Sequence, residues 1–250
     1  MNVTDMIGDF MQSVYRELAP GGSLRVALNI GNPVLVQQVA GSGELRGMAV
    51  ELAEQLAQRL SLPRVLLSFD GAGRTIEAGL AGAWDLAFLS IQPERTRHLD
   101  FTAPYVVLES TYVVRDGSPY RTVLDIDRDG VRIAVSEGGF YDLHLTRTLR
   151  RAKVVRAPTA SASLELFVSA GLEAAAGLRQ LLTAFSEAHP GLHVMEGRFA
   201  AVEQAIALPK GRGAALRYLN AFLEQMRSSG WVADALGRNC DLRAATLPRP

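Results

Sequence analysis

GAWDLAFLSIQPERTRHLDFTAPY, residues 82–105, is the stretch whose reading decides the fold. WDLAFLSI (84–91) reads as a strand, and Gln92-Pro93 stops it just as Ser90 and Arg95 bring polar chemistry to its end. Upstream, LRVALNI (24–30) is a second strand and Gly31-Asn32-Pro33 a turn. MAVELAEQLAQRL (48–60) carries apolar residues at 48, 52, 53, 56, 57 and 60, the spacing of a helix. RVLLSF (64–69) predicts another strand and TIEAGLAG (75–82) a helix, and strands alternating with helices imply an α/β sheet with parallel pairings.

Downstream, YVVLESTYVVR (105–115) is a long β-rich stretch, and the Gly, Pro and Asp residues of 116–130 mark a boundary. A second α/β set follows: strands at 131–137 and 153–157, helices at 141–151 and 161–170, a short strand at 171–178, a return strand at 203–209 and a helix at 213–230. The tail beyond Asn239, rich in Arg and Pro, is expected to peel off. At the other end Met6, Ile7, Phe10, Met11, Val14, Tyr15 and Leu18 recur at helical spacing, ended by Pro20-Gly21-Gly22. That amphipathic helix either packs on the body of the protein or docks a partner, including a second copy in a dimer.

A chain of 250 residues, 48% hydrophobic and 21% charged, can bury a core and is not disordered. Its 26 basic and 26 acidic side chains leave no net field, which disfavours nucleic acid as a partner. Cys240 is alone, so neither an internal disulfide framework nor a cysteine-rich zinc site is expected. No G-x-S-x-G elbow, Walker loop, H-E-x-x-H or C-x-x-C occurs, and Gly71-Ala72-Gly73 lacks the third glycine of a dinucleotide fingerprint. His189 and His193 are four apart, but Pro190-Gly191 breaks any helix between them, so no metal site is expected. No apolar run of 18 residues occurs, and residues 1–22 lack the basic and continuous apolar regions of an export signal.

Arg95 five residues after Ser90 has a physical meaning of its own. A guanidinium fork at the C-terminal edge of a strand can grip a carboxylate in two charge-assisted hydrogen bonds, and a nearby hydroxyl completes the oxygens' partners. On the residues alone, Arg95 serves that grip or pairs with a structural acid such as Asp100 or Glu94.

Several blocks in order carry a resemblance over about residues 23–240. LRVALNIGNP, LRGMAVELAEQLAQRL, GAWDLAFLSIQPERTRHLDFTAPY, VRIAVSEGGFYDLHL, GLEAAAG and EQAIALPKG together resemble the extracytoplasmic solute-binding proteins of the amino-acid-binding type, the receptors of ABC importers. The resemblance implies a type II periplasmic-binding-protein fold: two α/β lobes joined by a two-strand hinge, with the amphipathic helix added. Lobe one would span 23–114 and 202–250, lobe two 115–201, with the hinge at 112–115 and 198–203. It implies a small carboxylate-bearing ligand, an ABC permease as partner, no cofactor, and a periplasmic location. If Met1 is the native start, the missing export signal would instead make the chain a cytoplasmic ligand sensor.

Carried over residue by residue, the resemblance gives Ser90 and Arg95 as the carboxylate grip, and Gly71 and Ala72 as a loop flanking the ligand. Phe88 falls on the same strand as Ser90. The lobe-two turn is Ser136, Gly138, Gly139 and Phe140, whose backbone N–H groups open a helix and favour anions. Asn29 and Asn32 stand where the family often has an acid and an aromatic. Gly177-Leu178-Arg179 stands where it usually has an Asp for the ligand ammonium. The missing acid favours an organic acid, with a second carboxylate or a carbonyl facing Arg179 and the asparagines; alternatively Arg179 is a solvent-facing helix cap. Glu173, Asp142 or Glu203 could restore a negative group. A cyclohexadienyl- or prephenate-dehydratase-like enzyme on the same fold would need an acid or base, with Asp142 and Glu173 the nearest candidates.

Overall fold

The computed structural model describes residues 3–239 and 245–246, so Cys240 and most of the tail lie outside the described residues. The chain opens with α1 (Val3–Leu18) and runs through β1 (Leu24–Asn29), β2 (Gln37–Gln38), β3 (Leu45–Arg46), α2 (Met48–Leu60), β4 (Arg64–Phe69), α3 (Ala72–Leu80), β5 (Leu86–Ser90), α4 (Pro93–Thr96), β6 (Leu99–Phe101) and β7 (Val106–Arg115). A 3₁₀ turn at Val123–Ile126 leads to β8 (Arg132–Ser136), α5 (Phe140–Thr148), β9 (Lys153–Ala157), α6 (Ala160–Ser169), β10 (Ala174–Leu178), α7 (Arg179–Ala188) and β11 (Leu192–Val194). The chain returns through β12 (Ala200–Pro209), α8 (Gly213–Ser228), α9 (Trp231–Asn239) and β13 (Ala245–Thr246).

Two parallel cores sit at opposite ends of one sheet. The strand order is β4-β1-β5-β12-β7-β10-β8-β9. β4, β1 and β5 pair parallel, as do β10, β8 and β9. Between them β12 and β7 run antiparallel. β7 exchanges partners at Ser110: residues 106–110 face β12, and residues 110–114 face β10. The side chains follow, since Leu108 belongs to the core built around α2, whereas Tyr112 and Val114 belong to the core around β8.

β1 is buried along nearly its whole length, as a central parallel strand must be. α2 buries Met48, Leu52, Ala53, Leu56, Ala57 and Leu60 against it, the residues that its spacing selects. Asp85, fully buried just before β5, receives the guanidinium of Arg25 at 2.8 and 2.9 Å and that of Arg212 at 3.5 Å, which ties β5 to β1. β5 is buried at every position and delivers Ser90 at its C-terminal edge.

α1 packs on the body of the protein. Phe10, Met11, Val14 and Leu18 join the first core, and the Glu17 carboxylate accepts from the Ala215 N–H at the start of α8 at 2.8 Å. Met6 and Ile7 stay exposed.

Several features depart from the expectations. α3 begins at Ala72 rather than Thr75, because Gly71 turns the chain at φ 104° immediately before it. α7 and α9 are helices that the sequence reading passed over. The tail does not wholly peel away, for Ala245–Thr246 pair antiparallel with Leu108 and Val107 of β7. His189 lies against the Phe185 ring and His193 against Asp116, and no group of metal-ligating side chains occurs among the described residues.

Candidate functional site

The C-terminal ends of β1 and β5, the start of α3 and the turn between β8 and α5 converge on one cavity of about 80 Å³. Arg95 is one of its lining residues. The four-residue α4, entered through Pro93, folds the guanidinium back onto the strand end it follows. Its Nη1 donates to the Ser90 carbonyl at 3.0 Å and to Ser90 Oγ at 2.6 Å. Nη2 donates across the cleft to the Gly138 carbonyl at 3.2 Å, and buried Nε has no hydrogen-bond partner.

The acids proposed as alternative partners for Arg95 are occupied elsewhere. Asp100 holds Lys210 and the Gly211 N–H, both at 3.1 Å. Glu94 binds Arg147 of α5 at 2.8 Å. Arg95, only 3% exposed, is therefore a buried cation with no carboxylate in contact. Burial pushes its guanidinium down to about 10. Such a charge needs compensation, and in this structure three neutral oxygens, the Ser90 carbonyl and hydroxyl and the Gly138 carbonyl, supply part of it.

Asn29, Asn32, Gly71, Ala72, Phe88, Ser90, Ser136, Gly139 and Phe140 line the cavity with Arg95. Asn29 is a loop organiser: its Oδ1 accepts from the Gly31 N–H at 3.0 Å and the Gly71 N–H at 3.1 Å, closing the loops after β1 and β4 on each other. Asn32 Oδ1 is buried without a hydrogen-bond partner. Gly138 contributes the carbonyl that meets Arg95, and its own N–H donates to Asp142 at 3.0 Å.

Arg179 lies elsewhere. It is the first residue of α7, and its fork binds Glu109 at 3.4 Å, the Met195 carbonyl at 3.2 Å and the Gly197 carbonyl. The expectation that it faces the ligand is corrected, and it is not a solvent-facing cap either. The other candidate acids are also engaged or turned away. Asp142 binds Arg156 at 2.8 Å, Glu173 binds Arg132 at 2.9 Å, and Glu203 is exposed on β12. No carboxylate side chain is among the described residues lining the cavity.

The rest of the lining is more apolar than the asparagines suggested. Leu35, Val36, Leu178, Leu181 and Val202 form it with Phe88, Phe140 and Tyr141. Leu178, Leu181, Phe140 and Tyr141 come from β10, α7 and α5 yet pack on the core built around α2, so the two ends of the sheet meet through apolar surface as well as through Arg95.

A family model described as bacterial extracellular solute-binding proteins, family 3, matches residues 24–238. The chain belongs to this family. Among solved structures, a mutant of ArgBP from T. maritima is similar at 23% identity and a TM-score of 0.77, covering 90% of this chain and 98% of that one. An ancestral amino acid-binding protein, a precursor of cyclohexadienyl dehydratase, is similar at 21% and 0.77, with the same coverage. The solute receptor for L-cysteine of Neisseria gonorrhoeae is similar at 22% and 0.77, covering 91% of this chain and 92% of that one. At these identities the likeness speaks for the fold alone. No curated protein matches the chain significantly.

Within this family-3 chain, the sequence reading missed Leu35, Val36, Leu181, Val202 and Gln204 as cleft residues. Gln204 carried a signal: it is a polar residue in phase with Val202 and Ile206 on β12, and it is 5% exposed. Leu181 was hidden because α7 was not recognised, although Leu181, Leu182 and Phe185 stand at helical spacing.

Proposed function

We propose that this protein captures a small carboxylate-bearing ligand between its two lobes, as the solute-binding component of an ABC importer. Arg95 carries the reading. A buried guanidinium whose Nε lacks a partner, beside the Ser90 hydroxyl, is arranged for a carboxylate. Ser136, Gly139 and Phe140 close on the ligand from lobe two, with the start of α5 favouring negative charge.

The lobes would comprise 23–114 with 202–250, and 115–201, with β7 and β12 as the connecting strands. Closure is then held by the Arg95–Gly138 and Arg147–Glu94 contacts across the cleft. Small-angle scattering tests this. The radius of gyration should fall on ligand addition, toward the roughly 18 Å of a compact chain of this length. An unchanged value at saturation would remove hinge closure from the account.

The chemistry on offer is recognition. A dehydratase-like elimination needs a proton donor or acceptor in the cleft, and Asp142 and Glu173 are held by Arg156 and Arg132. A dimer through α1 would have to use exposed Met6 and Ile7, since the rest of that apolar face packs on the body.

A further inference from the structure

The charge balance of the cleft narrows the ligand further. Arg95 is the one charged side chain among the described lining residues. Glu94, its sequence neighbour, is already paired with Arg147. A monocarboxylate brings the enclosed site to neutrality. A zwitterion leaves one positive charge uncompensated, and a dicarboxylate leaves one negative.

Polar capacity points the same way. An ammonium brings three donors and a full charge. The neutral side-chain acceptors in the cleft are Asn32 Oδ1, buried without a hydrogen-bond partner, the Gln204 amide, 5% exposed, and the Ser136 hydroxyl. Asn29 Oδ1 is consumed by two backbone N–H groups, and Leu178 and Leu181 present hydrocarbon. Neutral acceptors suit a hydroxyl donor, and none of them supplies the counter-charge that an ammonium needs. A carbonyl is served equally if the Asn32 amide turns over. The cavity, at about 80 Å³, is far below the roughly 300 Å³ at which ordinary ligand pockets begin. The acid is therefore compact.

We infer that the cleft selects a short-chain 2-hydroxy or 2-oxo monocarboxylic acid, without an amino group, over the amino acid of the same carbon skeleton. This rests on Arg95 holding a carboxylate.

Titration calorimetry of the full chain with matched sets tests it. Each set comprises the amino acid, the 2-hydroxy acid, the 2-oxo acid and the unsubstituted acid on three-, four- and five-carbon skeletons, with succinate added. The 2-hydroxy or 2-oxo acid should bind at least tenfold more tightly than its amino counterpart and than succinate. Asn32→Ala should weaken the 2-hydroxy acid about tenfold, as loss of one hydrogen bond does, and leave the unsubstituted acid unchanged. Equal or tighter binding of the amino acid, itself abolished by Arg95→Met, overturns the amine-free selection and leaves carboxylate capture standing. Binding that survives Arg95→Met, or no binding by any acid of the series, overturns both. Equal loss of substituted and unsubstituted acids in Asn32→Ala overturns the assignment of Asn32 to the ligand's oxygen.

Discussion

Replacing Arg95 with Met is expected to weaken carboxylate binding by about 100-fold or more, while leaving the melting temperature of the ligand-free protein close to its original value. The two halves of this result have one cause. A hydrogen bond to a charged partner is worth roughly 1.5–3 kcal/mol, and a carboxylate held by both the guanidinium and Ser90 Oγ loses more than one when the fork is removed. In the ligand-free protein the same guanidinium is 3% exposed and touches no carboxylate, so its removal also relieves a buried charge. Exchanging buried charge for hydrocarbon of similar volume is often neutral or stabilising, which offsets the lost bonds to Ser90 and Gly138. Arg95→Lys keeps the charge without the fork and should fall between the two. Titration calorimetry paired with thermal denaturation checks this. A steep fall in stability with unaltered affinity would make Arg95 structural.

The same group sets the alkaline limit of binding. Burial holds Arg95 at about 10, and a bound carboxylate raises it again by favouring the charged form. Affinity is thus complete below the free protein's value and is lost as pH rises through it. Binding should be level between about pH 6 and 9 and drop about tenfold per unit above pH 10.

Gly47→Ala is expected to cost on the order of 3 kcal/mol of stability and to weaken binding at a distance from the ligand. Gly47 precedes α2 at φ 119°, a conformation that L side chains rarely adopt. A Cβ there would stand 2.4 Å from the Leu35 carbonyl oxygen. That oxygen accepts from the Ala49 N–H at 3.1 Å, so the loop that bears Asn32, Leu35 and Val36 rests on the first turn of α2. Relieving the clash moves this loop. For a chain of this size the loss lowers the melting temperature by roughly 6–12 °C. A variant that melts and binds like the original protein would show that the loop is not seated on Gly47.

Much of this was legible in the residues because it is local. α2 was readable to the residue from its apolar spacing, and β4 and β9 from their runs of branched side chains. Ser90 and Arg95 were legible because a strand end, a proline and a fork-shaped cation within six residues constrain one another. Arg179 was not. Its role depends on α7 beginning at that residue, and on Glu109 of β7 arriving from 70 positions away. The apolar wall was equally hidden, since Leu178 and Leu181 read as ordinary core residues until the second lobe is laid against the first. Periodicity reports which face of an element is buried, not which lobe buries it.

The most direct measurement is a crystal structure of the protein grown with a saturating short-chain 2-hydroxy acid. The account predicts a carboxylate oxygen within about 3 Å of Arg95 Nε and Ser90 Oγ, with both lobes closed over it. A ligand bound elsewhere, or one that turns a group other than its carboxylate toward Arg95, would contradict it.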